Sequence, residues 1–389
     1  MHLLSRAKSS KARTAVLIVA VSARAMAAAA RRAGYRPLAV DFFNDIDTRE
    51  ICAASRRAEG GLSEGFTDEN LIPALTALAE GQDPCGIVYG AGFEDRPGLL
   101  ASLAERFTLL GNPPDVVRCV KDPVRLVELC ASMKIPHPEI RGTRPAEPQN
   151  WLVKRIGGSG GTHVAPASGA PPEGQGIYFQ RRSEGVPISI QFLADGTKTQ
   201  VIGFSRQWTA PAPDAPFRFG GILRPANLPH ELDRRLREAL AAVSAACGLR
   251  GLNTIDFLVI DNAYTLLEIN PRPGAGLDIF EDETGSLFQA HINASLGFLP
   301  DEPLEFAGAA AAAIAYAPCA IASMPDLQWP DWTADRQRAG SALRAHDPVC
   351  TIKAQAGETS SARVLIEART NLLLDYVSAR RPFPPRISC

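Results

Sequence analysis

Apolar and polar positions change their spacing along this chain, and the changes mark its parts. From about Arg13 to Leu110, short apolar runs alternate with helix-spaced segments. Residues 15–21 read as a strand, 23–33 as a helix closed by Gly34, and 36–41 as a second strand. Residues 86–90 predict a third strand, 97–106 a helix and 107–110 a fourth strand. Such alternation predicts a parallel sheet covered by helices. Residues 115–133 then carry helical spacing, and 151–156, 176–180, 187–193 and 201–206 read as strands. An amphipathic helix follows over 228–247, ended by Gly248. Two β-prone runs, 253–260 and 264–270, flank Asp261-Asn262-Ala263 and read as a hairpin. Residues 282–296 are helix-spaced. Beyond Pro303 the chain turns Ala-rich, with strands expected over 309–316 and 349–354 and an amphipathic helix over 360–378.

The hairpin carries the sharpest chemistry. Side chains alternate faces along a strand, so Thr254, Asp256 and Leu258 share one face, and Leu266, Glu268 and Asn270 share one on the return strand. With a three-residue loop, Asp256 pairs directly across from Glu268, and Asn270 lies roughly 7–8 Å away on the diagonal. Facing carboxylates repel, which a divalent cation between them would relieve, since hard cations take oxygen ligands and leave room for phosphate oxygens. Arg272, between Pro271 and Pro273, offers a planar fork for a phosphate. The alternative on spacing alone is a solvent-facing hairpin with two ordinary acids.

A second constellation starts at the strand Trp151–Ile156, which runs into Gly157-Gly158-Ser159-Gly160-Gly161-Thr162. Glycines let backbone N–H groups approach phosphate oxygens closely. Lys154 precedes them, whereas a P-loop lysine follows its glycines; the other reading is a flexible hairpin tip. The first strand–helix turn, Val-Ser-Ala-Arg, lacks the glycines of a dinucleotide site. The loop Gly90-Ala91-Gly92-Phe93-Glu94 lies at a strand's carboxyl end, where such sheets bind ligands, and reads as a substrate contact or a plain connection. Trp208, Phe217, Arg218, Phe219 and Arg224 lie in a Pro- and Gly-rich loop that reads equally as a substrate wall or as packed structure.

Composition narrows the classes. The 389 residues allow two or three domains, and 46% hydrophobic with 21% charged content is that of a globular protein. A net charge of −1 gives no case for nucleic acid. The eight cysteines form no C-x-x-C, which removes the zinc and thioredoxin patterns and suits a reducing cytoplasm. The basic residues and apolar run near the start imitate a signal peptide. Arg24 interrupts the run and a strand–helix–strand unit continues from it, so no leader and no membrane span is expected.

Asp256 followed by Glu268-Ile269-Asn270-Pro271-Arg272, behind a strand lysine and a Gly/Ser loop, resembles the ATP-grasp superfamily over about Arg13 to Gly297. The resemblance implies an N-terminal Rossmann-like domain over 13–111, a lid subdomain over 112–186, a core subdomain over 187–303 and a small β-rich C-terminal appendix over 304–389. It implies ATP and magnesium, with manganese as a substitute. Asp256, Glu268 and Asn270 would be metal ligands, and Arg272 and Lys154 catalytic. Lys121, Lys154, Gly157–Thr162, Gln180, Arg181 and Glu184 would hold the nucleotide, with Tyr178 and Phe179 beside the adenine. Gln180 departs from the Glu usual in the family. The implied partners are a small-molecule carboxylate and an amine, and a homodimer is allowed. The segments SRQW, IAYAP, WPDWTADRQRAG and DPVCTIKAQAG resemble the branch of methanofuran and tetrahydromethanopterin metabolism that joins L-glutamate to tyramine.

Overall fold

A computed structural model describes residues 14–62, 64–169, 176–280 and 282–379. Three sheets organise the chain. The first is parallel, in the order β3-β2-β1-β4, from β1 (Ala15–Val19), β2 (Arg36–Asp41), β3 (Ala54–Arg57) and β4 (Ile87–Tyr89). Its strands β1 and β4 are buried on both faces, so they read as unbroken apolar runs, and β2 is buried from Pro37 to Asp41. Helix α1 (Arg24–Arg32) covers one side. α2 (Ile46–Ile51) links β2 to β3, a unit not anticipated from spacing, and α3 (Asp68–Ala79) and α4 (Pro97–Ala104) pack on the other side. The expected fourth strand over 107–110 is reduced to one bridge between Ile87 and Leu109.

The second sheet is small and antiparallel, in the order β5-β8-β6-β7, from β5 (Ile140–Arg141), β6 (Trp151–Arg155), β7 (Val164–Pro166) and β8 (Ile177–Arg181). The expected helix over 115–133 is two helices, α5 (Pro114–Lys121) and α6 (Pro123–Ser132). Pro123 disfavours helical backbone at Asp122, and the Asp122 carboxylate caps α6 by accepting from the Val124 and Arg125 amides at 2.9 and 3.2 Å.

The third sheet has eight strands in the order β13-β12-β9-β10-β11-β14-β16-β15. They are β9 (Val186–Asp195), β10 (Thr199–Thr209), β11 (Phe219–Arg224), β12 (Arg250–Ile260), β13 (Ala263–Asn270), β14 (Ala309–Tyr316), β15 (Thr333–Ala334) and β16 (Pro348–Ala356). The C-terminal strands therefore continue the same sheet through the β11–β14 pairing. Ile190, Phe192, Phe204, Ile255 and Phe257 bury one face against α7 (His230–Cys247). On the opposite face, Leu193 and Leu252 join a core with α1 and α8 (Ser286–Ser295), shorter than the expected 282–296. α9 (Thr359–Ala379) covers β14 and β16. Among the described residues no helix is long and apolar enough to cross a membrane.

Candidate nucleotide and metal site

The second half of that opposite face is polar. Antiparallel register brings Asp256 across from Glu268 and from Ser189, and Thr254 across from Asn270 and Gln191. The Asp256–Glu268 pairing matches the sequence expectation, by a different route. The turn has two residues, since Ile260 pairs with Ala263, and a bulge beside Asp256/Phe257 restores the offset. Asp261 takes the positive φ (51°) that the tight turn requires.

Around the two acids the polar groups converge. The Asn270 Nδ2 donates to Asp256 Oδ2 at 3.1 Å and to Glu268 Oε1 at 3.4 Å, so its amide lies where a cation between the carboxylates would sit. Its Oδ1 accepts from Lys121 Nζ at 2.9 Å, and Lys121 lies 3.7 Å from Glu268 Oε2. Gln207 on β10 donates to Asp256 Oδ1 at 3.1 Å. Burial, with Glu268 opposite, pushes the Asp256 carboxyl up to about 7. Burial acts the same way on Glu268, but Lys121, Lys154 and His163 outweigh it and hold that carboxyl at about 2. Two opposed acids, one resisting ionisation, form an oxygen donor set suited to a hard divalent cation. Among the described residues no group of three His, Cys, Asp or Glu side chains is arranged for a metal. The donor set therefore needs the Asn270 amide, whose Oδ1 would turn from Lys121 to the ion.

Lys154 reaches this face from β6 and is 8% exposed. Burial lowers its pKa, and Glu268 and Asp256 oppose that fall through space. No hydrogen bond or ion pair among the described residues engages its ammonium. Tyr178 pairs with Lys154 across the β6–β8 ladder and shares its face. Phe179 points the other way, wholly buried in the small sheet's own core, so only Tyr178 is left of the expected aromatic pair. Gln180 is buried on β8, whereas Arg181 and Glu184 are exposed, Arg181 lying 3.6 Å from Glu139.

The glycine loop is seated tightly. A Cβ on Gly161 would meet the Phe217 carbonyl oxygen at 1.9 Å, and one on Gly157 would meet Asp95 at 2.5 Å. Gly160 accepts from the Phe219 amide at 2.9 Å. Ser159 is half-buried, its carbonyl 3.3 Å from His163 Nδ1, and Thr162 is exposed. A Cβ on Gly158 would collide with the His163 ring.

Asn112, wholly buried, anchors the end of the hairpin by donating to the Pro271 carbonyl at 2.9 Å. Beyond Pro271, Arg272 binds Glu94 in the loop between β4 and α4, Nε to Oε1, at 2.7 Å. The Gly90–Glu94 loop, open to two readings in the sequence, thus contributes to this site.

The aromatic loop is packed structure rather than a wall. Trp208 joins the C-terminal core under Arg363, at 4.0 Å from ring centre to guanidinium. Arg218 stacks on Tyr316 at 3.5 Å and donates to the His346 carbonyl. Arg224 is spent on the carbonyls of Ile279, Phe306 and Gly308, and Phe219 packs against the core with α1. Sequence spacing missed Gln207, Ser189 and His163; alternation along β9 and β10 places the first two on the polar face, and nothing in the sequence marked the third.

Residues 122–276 match the family described as ATP-grasp domain. The backbone superposes on the biotin carboxylase β-γ-ATP complex from Campylobacter jejuni with a TM-score of 0.68 at 14% identity, covering 93% of this chain and 95% of that one. The fold is ATP-grasp. An L-amino acid ligase from Bacillus licheniformis shares the ATP-grasp fold with a TM-score of 0.67 at 14% identity, over 95% and 98% of the two chains. The carbamoyl phosphate synthase large chain of Thermus thermophilus is 24% identical over 271 residues, 63% of this chain. This chain spans 25% of the length of that relative.

Proposed function

We propose that the chain is an ATP-dependent ligase that activates a carboxylate as an acyl phosphate and passes the acyl group to an amine. One observation carries the reading: Lys121, Lys154, Asp256, Glu268 and Asn270 converge from four elements, α5, β6, β12 and β13, onto one sheet face. The match of residues 122–276 to the ATP-grasp domain supports it.

Lys154, buried and unpaired among the described residues, would take phosphate charge, and Lys121 would shift from Asn270 towards it. The amides of Gly157–Thr162 would close over the phosphates. Asp256, Glu268 and Asn270 would hold magnesium, which would supply neutralisation of the phosphate oxygens. A substrate carboxylate oxygen attacks the γ-phosphorus and the bond to ADP breaks. The amine nitrogen then attacks the acyl carbon, phosphate leaves with the bonding pair, and the nitrogen loses a proton. Arg272 would stabilise the charge on the transferring phosphoryl group and on the tetrahedral carbon.

L-glutamate and tyramine are the pair to test first, on the strength of the SRQW and C-terminal segments; the aromatic loop, packed elsewhere, lends that pair no support. ADP release from Mg-ATP is the assay. Release only with both substrates supports the pair, and release with other amino acids keeps the ligase and moves its substrates. Nucleotide binding with no turnover on any acid would replace the ligase by a regulatory module.

A further inference from the structure

Arg272 leaves the end of β13, yet its grip comes from the N-terminal domain. Glu94, 178 residues earlier in the loop between β4 and α4, accepts from Arg272 Nε at 2.7 Å. The two side chains are 3% and 11% exposed. The second oxygen of Glu94 accepts from the amides of Gly92 at 2.7 Å and Phe93 at 3.0 Å. Burial would raise this carboxyl, but Arg272 and Lys121 pull it below its usual range, so it is ionised at neutral pH. Both oxygens are committed, one to the guanidinium and one to the backbone. Arg272 is held through its inner nitrogen. Among the described residues its outer nitrogens have only the Pro273 carbonyl, at 3.5 Å from Nη1. A guanidinium fixed at Nε keeps its Nη1/Nη2 edge for another anion.

We propose that Glu94 is a positioning residue, which aims the outer edge of Arg272 at the transferring phosphoryl group and makes the N-terminal domain part of the catalytic geometry. This rests on the phosphoryl-transfer reading above. An interdomain tie of purely structural value would lower stability without touching the bound phosphoryl group. Glutamine cannot replace Glu94: with one acceptor oxygen, its NH₂ group must face either Arg272 or the two amides, donor against donor.

The test uses the full chain and needs no substrate. Isothermal titration measures the affinity for Mg-ADP with and without tetrafluoroaluminate, which mimics the phosphoryl group in flight. The proteins are wild type, Glu94→Gln, Arg272→Ala and the double variant. Wild type is expected to bind Mg-ADP more tightly with fluoroaluminate. Glu94→Gln should lose roughly tenfold or more of that gain, as for a charge-assisted hydrogen bond, while Mg-ADP alone stays within about twofold. In the Arg272→Ala background the Glu94 substitution should cost nothing further. Equal losses in both backgrounds, or no loss in the single variant, would overturn the positioning role and leave the ligase standing. A wild type that binds no Mg-ADP would overturn the ligase and this role together. Should circular dichroism find Glu94→Gln unfolded, Glu94→Asp, which keeps both oxygens on a shorter arm, is judged by the same criteria.

Discussion

Replacing Asp256 by Asn asks whether the facing acids are held together against their own repulsion. Asp256 stands at about 7 against an ordinary 3.8, through burial and the charge of Glu268. A carboxyl raised by one pH unit costs about 1.4 kcal/mol to ionise, which bounds the cost of the ionised pair at roughly 4 kcal/mol. Asp256 is not fully sealed from water, so screening cuts this to about 2 kcal/mol. The amide also forfeits one hydrogen bond, worth about 1 kcal/mol. The substitution should therefore stabilise the metal-free protein at pH 8 by about 1 kcal/mol, a rise in Tm of about 1 °C for a chain of 389 residues. The pH dependence is the firmer signature. A folded carboxyl above its unfolded value binds its proton more tightly when folded, so Asp256 removes stability as pH rises from about 4 to 7. Glu268, held at about 2 against 4.5, acts oppositely and lower, adding stability as pH rises from about 2 to 4.5. Thermal melts of wild type from pH 4 to 8 should show the loss between 4 and 7, and Asp256→Asn should lack it. The variant should also lose the magnesium dependence of ADP binding. Identical pH slopes in the two proteins would refute the argument that these acids compress one another.

Lys154→Met removes a buried ammonium that no hydrogen bond or ion pair among the described residues engages, so the melting temperature should hold or rise while ATP affinity falls at least tenfold in a titration. Gly161→Ala puts a Cβ 1.9 Å from the Phe217 carbonyl at a residue with φ of 73°, so the glycine loop cannot seat; Mg-ADP affinity should fall with circular dichroism unchanged. Arg24→Ala leaves Asp278 and Asp335 without the guanidinium that joins them, at 2.8 Å to one and 2.7 Å to the other. A loss of about 3–5 kcal/mol is expected from stranding buried charge, read as a large fall in Tm.

Much of the site was legible because its logic is short-range. Period-two alternation put Asp256, Glu268 and Asn270 on one face, and one error in turn length was cancelled by the bulge. The break at Asp122-Pro123 was missed by helical spacing alone, although proline and a capping acid both argue against a continuous helix there. Other features were beyond local pattern. Glu94 finds Arg272 across 178 positions, and Trp208 finds its packing on a helix that begins at Thr359. Arg24 looked like an interruption of an apolar run, yet it ties the first domain to Asp278 just past the hairpin and to Asp335 beyond it. Nothing near these residues in the chain announces partners that only tertiary folding supplies.

The continuity of the eight-stranded sheet bears on how the molecule can be divided. A fragment cut to the matched span 122–276 would keep both acids and the glycine loop. It would also strip β14 from Phe219–Arg224, exposing a row of unpaired backbone groups beside Ile222 and Leu223. A bare strand margin of that kind invites self-association. The strands of 309–356 thus serve as the selvedge that keeps the sheet beneath the candidate site from fraying.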